Sequence, residues 1–409
     1  MDPFEPTTPF YQVSAEKLGK GTGHLIDSEE VTGYVALADA SATYRVIYES
    51  TSGIGGQVGK PIGVSGMIAF PTTPPVGDGW PVISWAHGTV GSADKCAPSM
   101  DSEELGPPGD SGLGLLRMIN KAPHKLLNAF LRAGWAVAMT DYEGLGTYGN
   151  HPYLLGESEG RGIVDIVPVV SQLAGPDRRI SDQYGIVGHS QGGQAALFGA
   201  YLAGTDYARS GTLIGVAALA PASNLKAGLL YVYEQPAPFG DLGAFYALFS
   251  NGVFGGDPGI ERAQIFKEEA LRKYLADYDT KARAEMSLDP EWMNVAPTDI
   301  FQPQGGDAWT RYWAQVDDFN PEKKITVPIR VSQALGDTRV NPVNTTLLLT
   351  QLAAIDGHGP ITPVTRVIVS QPDPKVLGAH FGLLMDDTEI SGLVGWMGDR
   401  LTQPGPESS

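Results

Sequence analysis

The chain has 409 residues and a formal net charge of −18, with 42% of residues hydrophobic and 18% charged. This is the balance of a globular protein with a large core, and so acidic a surface repels phosphate backbones, which excludes nucleic acid as a partner. One cysteine, Cys96, excludes an intramolecular disulfide and is expected as a buried thiol.

The opening Met-Asp-Pro-Phe-Glu-Pro has no basic n-region and no apolar h-region, so no signal peptide is expected as the sequence stands, which reads as cytoplasmic. The chain has no uninterrupted apolar run of 18 residues, so no transmembrane helix is expected. The first 30 residues are polar and punctuated by Pro and Gly, and predict an extended surface arm. Residues 42–48 and 63–70 alternate between apolar and polar, as antiparallel strands do.

Beyond residue 80 short apolar runs appear at 81–85, 135–139, 184–187, 213–218, 327–331 and 364–369, most of them followed by a loop and a helical stretch. Continuous apolar runs of this length suit strands buried on both faces of a parallel sheet. Their alternation with helices predicts an α/β architecture with a mixed, mostly parallel sheet and helices on both faces. About 100 residues separate the runs at 213–218 and 327–331. That is too long for one crossover helix, so 222–325 is expected to be an inserted, mainly helical cap, flanked by core segments 1–221 and 326–409. Tyr231, Tyr233, Phe239, Phe245, Tyr246 and Phe249 crowd its start. Either a small satellite core or an apolar acyl-binding wall would account for them.

Gly188-His189-Ser190-Gln191-Gly192 fits G-x-S-x-G, between an expected strand and an expected helix at 194–203. The pattern alone is weak; the strand–turn–helix setting makes it a nucleophile elbow of the α/β-hydrolase fold. The turn is tight, so its flanks must be small, and Ser190 then stands at a helix N-terminus that favours developing negative charge. In this fold the acid and then the histidine follow the serine. Only His358 and His380 do so. His380 follows the last strand, on the carboxyl side where parallel-sheet enzymes place their chemistry, whereas His358 precedes that strand. Asp337 follows the strand at 327–331 and is the expected acid. Asp317 and Asp318 are its rivals by composition, but lie in the expected cap. The backbone N–H groups of Gln191 and Thr89 are the expected oxyanion donors, with His87 a buried support of the Thr89 loop.

Gly144-Leu-Gly-Thr-Tyr-Gly149 matches G-x-G-x-x-G, but Asn150-His-Pro-Tyr follows where a dinucleotide site needs a helix. It is read as a glycine-rich loop beside the active site. No H-E-x-x-H, Cys/His cluster or phosphate-loop pattern occurs, so neither a metal nor a cofactor is expected.

These pieces resemble the secretory lipase family, the lipase A type of α/β-hydrolases. The similarity is carried by Tyr44 to Thr51, by Ala86-His-Gly-Thr-Val-Gly91 with Cys96-Ala-Pro-Ser99, and by Asp141-Tyr-Glu-Gly-Leu-Gly146. Gly188-His-Ser-Gln-Gly-Gly193, Gly336-Asp337 and Ala379-His380 complete it, in the family's order. The resemblance implies a small-molecule ester as substrate and carboxylesterase or lipase activity. It also implies a triad of Ser190, Asp337 and His380, a helical cap between the sixth and seventh core strands, and secretion. Secreted fungal members carry disulfides and a signal peptide, and this sequence departs from them in both. Acyl transfer to an alcohol would use the same residues, and an inactive hydrolase fold serving as a binding protein is the remaining alternative.

Overall fold

The computed structural model describes residues 6, 8–75, 77–102, 107–109, 111–176, 178–208, 210–316, 319–368 and 378–401. Among these, nine strands form one sheet in the order β1-β2-β3-β5-β4-β6-β7-β8-β9. The strands are β1 (Leu25–Val31), β2 (Ala40–Thr51), β3 (Pro61–Pro71), β4 (Trp80–Ala86), β5 (Ala136–Thr140), β6 (Ile180–His189), β7 (Thr212–Leu219), β8 (Ile329–Ala334) and β9 (Ile361–Arg366). Pairing from β1 through β3 to β5 is antiparallel, and from β5 across to β9 it is parallel.

The helices of the first half are α1 (Gly112–Lys121), α2 (His124–Arg132), α3 (Gly156–Asp165), α4 (Val167–Ala174) and α5 (Gln191–Ala203). Between β7 and β8 come α6 (Leu225–Val232), α7 (Ala244–Gly256), α8 (Glu268–Asp277), α9 (Arg283–Ser287), α10 (Pro290–Met293), α11 (Pro297–Ile300) and α12 (Gly306–Ala314). The chain then adds α13 (Pro342–Ala353), α14 (Gly378–Gly382) and α15 (Asp387–Gly398).

Successive side chains of a strand point to opposite faces, and the core divides accordingly. Ile83, Trp85, Val137 and Met139 pack with Leu116 of α1, Leu127 of α2 and Leu393 of α15. Val82, Ala136 and Ala138 pack on the other face with Ile163 of α3, Val170 of α4, Leu197 of α5 and Leu348 of α13. The mixed sheet with helices on both faces is therefore the expected α/β-hydrolase architecture. A third cluster, built mostly from the segment between β7 and β8 (Tyr233, Phe254, Phe266, Tyr274, Phe301, Trp309 and others), also takes in Tyr153 and Leu154 from the loop before α3.

Two readings of the sequence are corrected. The first 30 residues are not simply an arm, because Leu25–Val31 pairs with β2 as an edge strand. Its acidic run is largely exposed and lacks apolar alternation, so the usual strand signal is missing. The last strand starts at Ile361, earlier than the expected 364, and Val369 lies outside the described residues.

The last helix is fixed by charge. Glu389 of α15 is fully buried and accepts from Arg330 of β8 at 2.9 Å, Ser332 of β8 at 2.6 Å and Arg366 of β9 at 2.8 Å. A carboxylate so placed is satisfied on both oxygens, which a buried charge requires.

Candidate active site

Strand β6 ends at His189 and α5 begins at Gln191, so Ser190 alone makes the turn. Its φ of 61° and ψ of −119° are a strained conformation for a residue with a side chain. The surroundings hold it there. Ser190 N–H donates to the Leu219 carbonyl at 2.9 Å, and its own carbonyl accepts from Gly193 at 2.9 Å and Ala222 at 3.1 Å. A methyl group on Gly188 would strike the carbonyl of Gly192, and one on Gly192 the carbonyl of Ala86, so both flanks must be glycine.

Asp337 lies beyond β8 and before α13, where Arg339 and Val340 N–H groups donate to its Oδ1 at 2.9 and 3.0 Å. Its Oδ2 accepts from His380 Nδ1 at 2.7 Å and from Gln333 at 3.2 Å. Burial raises the Asp337 pKa, but the bond from His380 and the backbone donors outweigh it and hold the carboxyl below its ordinary value. His380 sits on α14 and is lowered too, first by burial and further by Arg339 and Arg283, against the pull of Asp337. The imidazole is therefore neutral at neutral pH, with Nδ1 carrying the proton and Nε2 left as a base.

Ser190, His380, Gln191 and Thr89 line one cavity of about 390 Å³. Asp337 stands behind His380 and is buried. The structure thus gathers four of the five expected site residues around one space and ties the fifth to the histidine. His358 does not join them: its ring holds the Pro321 carbonyl at 2.6 Å and the Ile325 N–H at 3.3 Å. Asp317 and Asp318 lie outside the described residues.

The loop after β4 that carries Thr89 is braced from several sides. Thr89 Oγ1 and Tyr153 Oη are 2.7 Å apart, and the Tyr142 hydroxyl donates to the His87 carbonyl at 2.8 Å. Burial lowers His87 to about 4, which keeps it neutral, and its Nδ1 meets the Gly88 carbonyl at 2.8 Å. The Gln191 side chain donates to Glu159 Oε1 at 2.6 Å and approaches His151 Nε2 at 3.1 Å. His151 Nδ1 lies 3.1 Å from the Glu143 carbonyl, so its proton sits there and Nε2 accepts from Gln191. The segment 144–149 is loop, and no helix begins until Gly156.

Sequence reasoning missed much of the cavity wall. Leu225, Leu229 and Val232 of α6 line it beside Phe239, Phe245, Tyr246 and Phe249. The six aromatics therefore divide: Tyr233 lies outside the lining, stacked on Phe301 at 3.9 Å, and Tyr231 is 67% exposed. Arg283 and Arg339 also line the cavity, and nothing in their spacing to the triad marks them. Cys96 is a buried thiol, as expected, with its pKa pushed up to about 12 by burial.

The comparisons with known proteins agree with the fold. Residues 115–285 match the family described as secretory lipase, which bears out the resemblance read from the motifs. Lipase A of Candida antarctica in its closed state is similar in structure at 15% identity, with 90% of this chain and 82% of that one covered and a TM-score of 0.69. The rice cell wall degrading esterase LipA of Xanthomonas oryzae is similar at 18% identity, with 94% and 100% covered and a TM-score of 0.70. No curated protein matches by sequence. Among the described residues no helix is long and apolar enough to cross a membrane.

Proposed function

We propose that this protein is a serine carboxylesterase or lipase that hydrolyses esters through an acyl-enzyme on Ser190. One observation carries the reading: His380, hydrogen-bonded to Asp337 at 2.7 Å, shares an apolar cavity with a serine held at a strained strand-to-helix turn. The secretory lipase match and the hydrolase fold support it.

In this mechanism His380 Nε2 takes the Ser190 hydroxyl proton as Oγ bonds to the ester carbonyl carbon. The carbonyl oxygen becomes an oxyanion, held by the N–H groups of Gln191 and Thr89. The intermediate collapses, the bond to the alcohol oxygen breaks, and His380 returns its proton to that oxygen. Water then attacks the acyl carbon, giving one proton to His380. Ser190 leaves with that proton, and the free acid is released. Asp337 holds the imidazole in the tautomer these steps need and stabilises the imidazolium.

The helices between β7 and β8 serve as the cap in this reading, and residues of α6 and α7 supply the acyl-binding wall. The family's description as secretory supports a secreted enzyme. Treatment with an organophosphonate tests the proposal. One label per chain, on Ser190, with parallel loss of esterase activity supports it, and labelling elsewhere with activity intact removes it.

A further inference from the structure

We propose that Arg283, with Arg339 beside it, selects esters carrying a second, anionic group, a carboxylate in the acyl or the alcohol portion. The inference rests on the reading of the cavity as an ester site and names the class of ester it takes.

Arg283 is 2% exposed and lines the cavity that holds Ser190 and His380. Its Nε and Nη1 have no hydrogen-bond partner among the described residues, and no carboxylate pairs with it there. Its backbone N–H donates to the Val90 carbonyl at 2.9 Å, so α9 starts against the oxyanion loop. The guanidinium carbon lies 5.8 Å from the centre of the Phe245 ring, itself part of the cavity wall. Arg339 lines the same cavity, and its guanidinium reaches Asp241 at 3.5 Å. Among the described residues, no Asp or Glu lines this cavity.

Among its described residues, a chain with a net charge of −18 thus presents two arginines and no acid to the space above the proposed nucleophile. A buried cation is costly unless an anion meets it. Burial and the neighbouring Arg339 lower Arg283 to about 9, which still leaves it charged at neutral pH. Guanidinium donates charge-assisted hydrogen bonds to carboxylate, and two of its nitrogens, on different edges of the group, are unused. The neighbouring walls are apolar, so they suit the methylene chain that separates a reacting carbonyl from a distal carboxylate. Half-esters of short dicarboxylic acids, and acyl esters of hydroxy acids, have this form.

The test compares charged and neutral esters of equal length. On the acyl side, 4-nitrophenyl hemiglutarate is set against 4-nitrophenyl pentanoate; on the alcohol side, 3-acetoxypropanoate against 3-acetoxypropanamide. Wild-type kcat/KM should favour the charged member of at least one pair by about tenfold or more, because a neutral substrate leaves the guanidinium unpaired. In Arg283→Met that preference should disappear, and in Arg283→Lys it should persist in part. Calorimetric titration with glutarate and with pentanoate reads the site without turnover, and glutarate should bind more tightly in the wild type but not in Arg283→Met. Preference for the neutral ester in both pairs, or a preference unchanged in Arg283→Met, overturns the proposal. Should Arg283→Met not fold, the wild-type ratios and the lysine variant decide. If no ester is turned over, the proposed function fails, while the titration still reports on Arg283.

Discussion

His189 donates from Nε2 to the carbonyl oxygen of His380 at 2.9 Å, and the two rings lie 4.4 Å apart. The residue beside the elbow serine therefore holds the backbone of the histidine that would take the serine's proton. Burial and the neighbouring His380 lower His189 to about 3, so it remains a neutral donor. His189→Phe should lower kcat by up to about 10²-fold, since misplacing a reacting group by about 1 Å costs that much. His380 should keep its own ionisation, seen as an acid limb of kcat/KM moved only slightly. A turnover equal to wild type would show that this bond does not position the base.

Ser190→Ala should lower kcat by about 10³-fold or more, leaving only the oxyanion donors and binding. Stopped-assay turnover of a nitrophenyl ester measures it, and mass spectrometry should find no phosphonate adduct on the variant. Near-wild-type turnover would remove the serine mechanism altogether.

Asp337→Asn should cost up to about 10⁴-fold in kcat, because an amide at this place favours the wrong imidazole tautomer. His358→Ala should leave kcat within a few-fold and act on stability instead, since its ring ties the Pro321 carbonyl and the Ile325 N–H together. Thermal melts and kinetics on both variants separate the two roles. The opposite ranking would move the acid–histidine pair elsewhere.

The pH profile follows from His380. Its pKa in the folded chain lies below the ordinary 6.5. In the proposed mechanism the neutral imidazole is the base, so kcat/KM should rise as pH increases through that lowered value, with the midpoint of the acid limb below 6.5. Arg283 is one of the groups that lower it. Removing that positive charge in Arg283→Met should therefore move the midpoint upward. A midpoint at or above 6.5 in the wild type would contradict the assigned base.

The aromatic residues at the start of the cap should split by position. Phe239→Ala and Phe245→Ala open the cavity wall and should shift the preferred acyl length in a series of nitrophenyl esters, with melting changed by only a few degrees. Tyr233→Ala removes a ring stacked on Phe301, with a hydroxyl 3.0 Å from that of Tyr312. It should lower stability by about 3–5 kcal/mol and leave the acyl preference alone. Equal loss of stability in all three variants, with no change in preference, would make the wall purely structural.

The fold was legible where the physics is local. Apolar runs such as 81–85 and 213–218 can only be strands when both faces are covered, and the pair Gly188 and Gly192 marks a turn with no room for side chains. Asp337 and His380 could be chosen because the order of elements places strand carboxyl ends on one side of the sheet. Strand β1 was hidden because an edge strand facing water needs no apolar alternation. The wall from α6 was hidden for another reason. Leu225, Leu229 and Val232 look like any helix stripe, and only the tertiary arrangement turns it toward Ser190. Arg283 carries no local signal at all, because its meaning lies in what does not pair with it.

The strands and helices that form the candidate site are far apart in the chain: the turn at Ser190 is complete by α5, while His380, the proposed base, arrives with α14. During synthesis the serine turn can therefore form well before His380 stands beside it. The nascent chain would be a fold with an unarmed serine. His380 joins it only with the C-terminal segment that Glu389 anchors to Arg330 and Arg366. For the proposed hydrolase, such ordering leaves the serine without its base until the protein is almost finished.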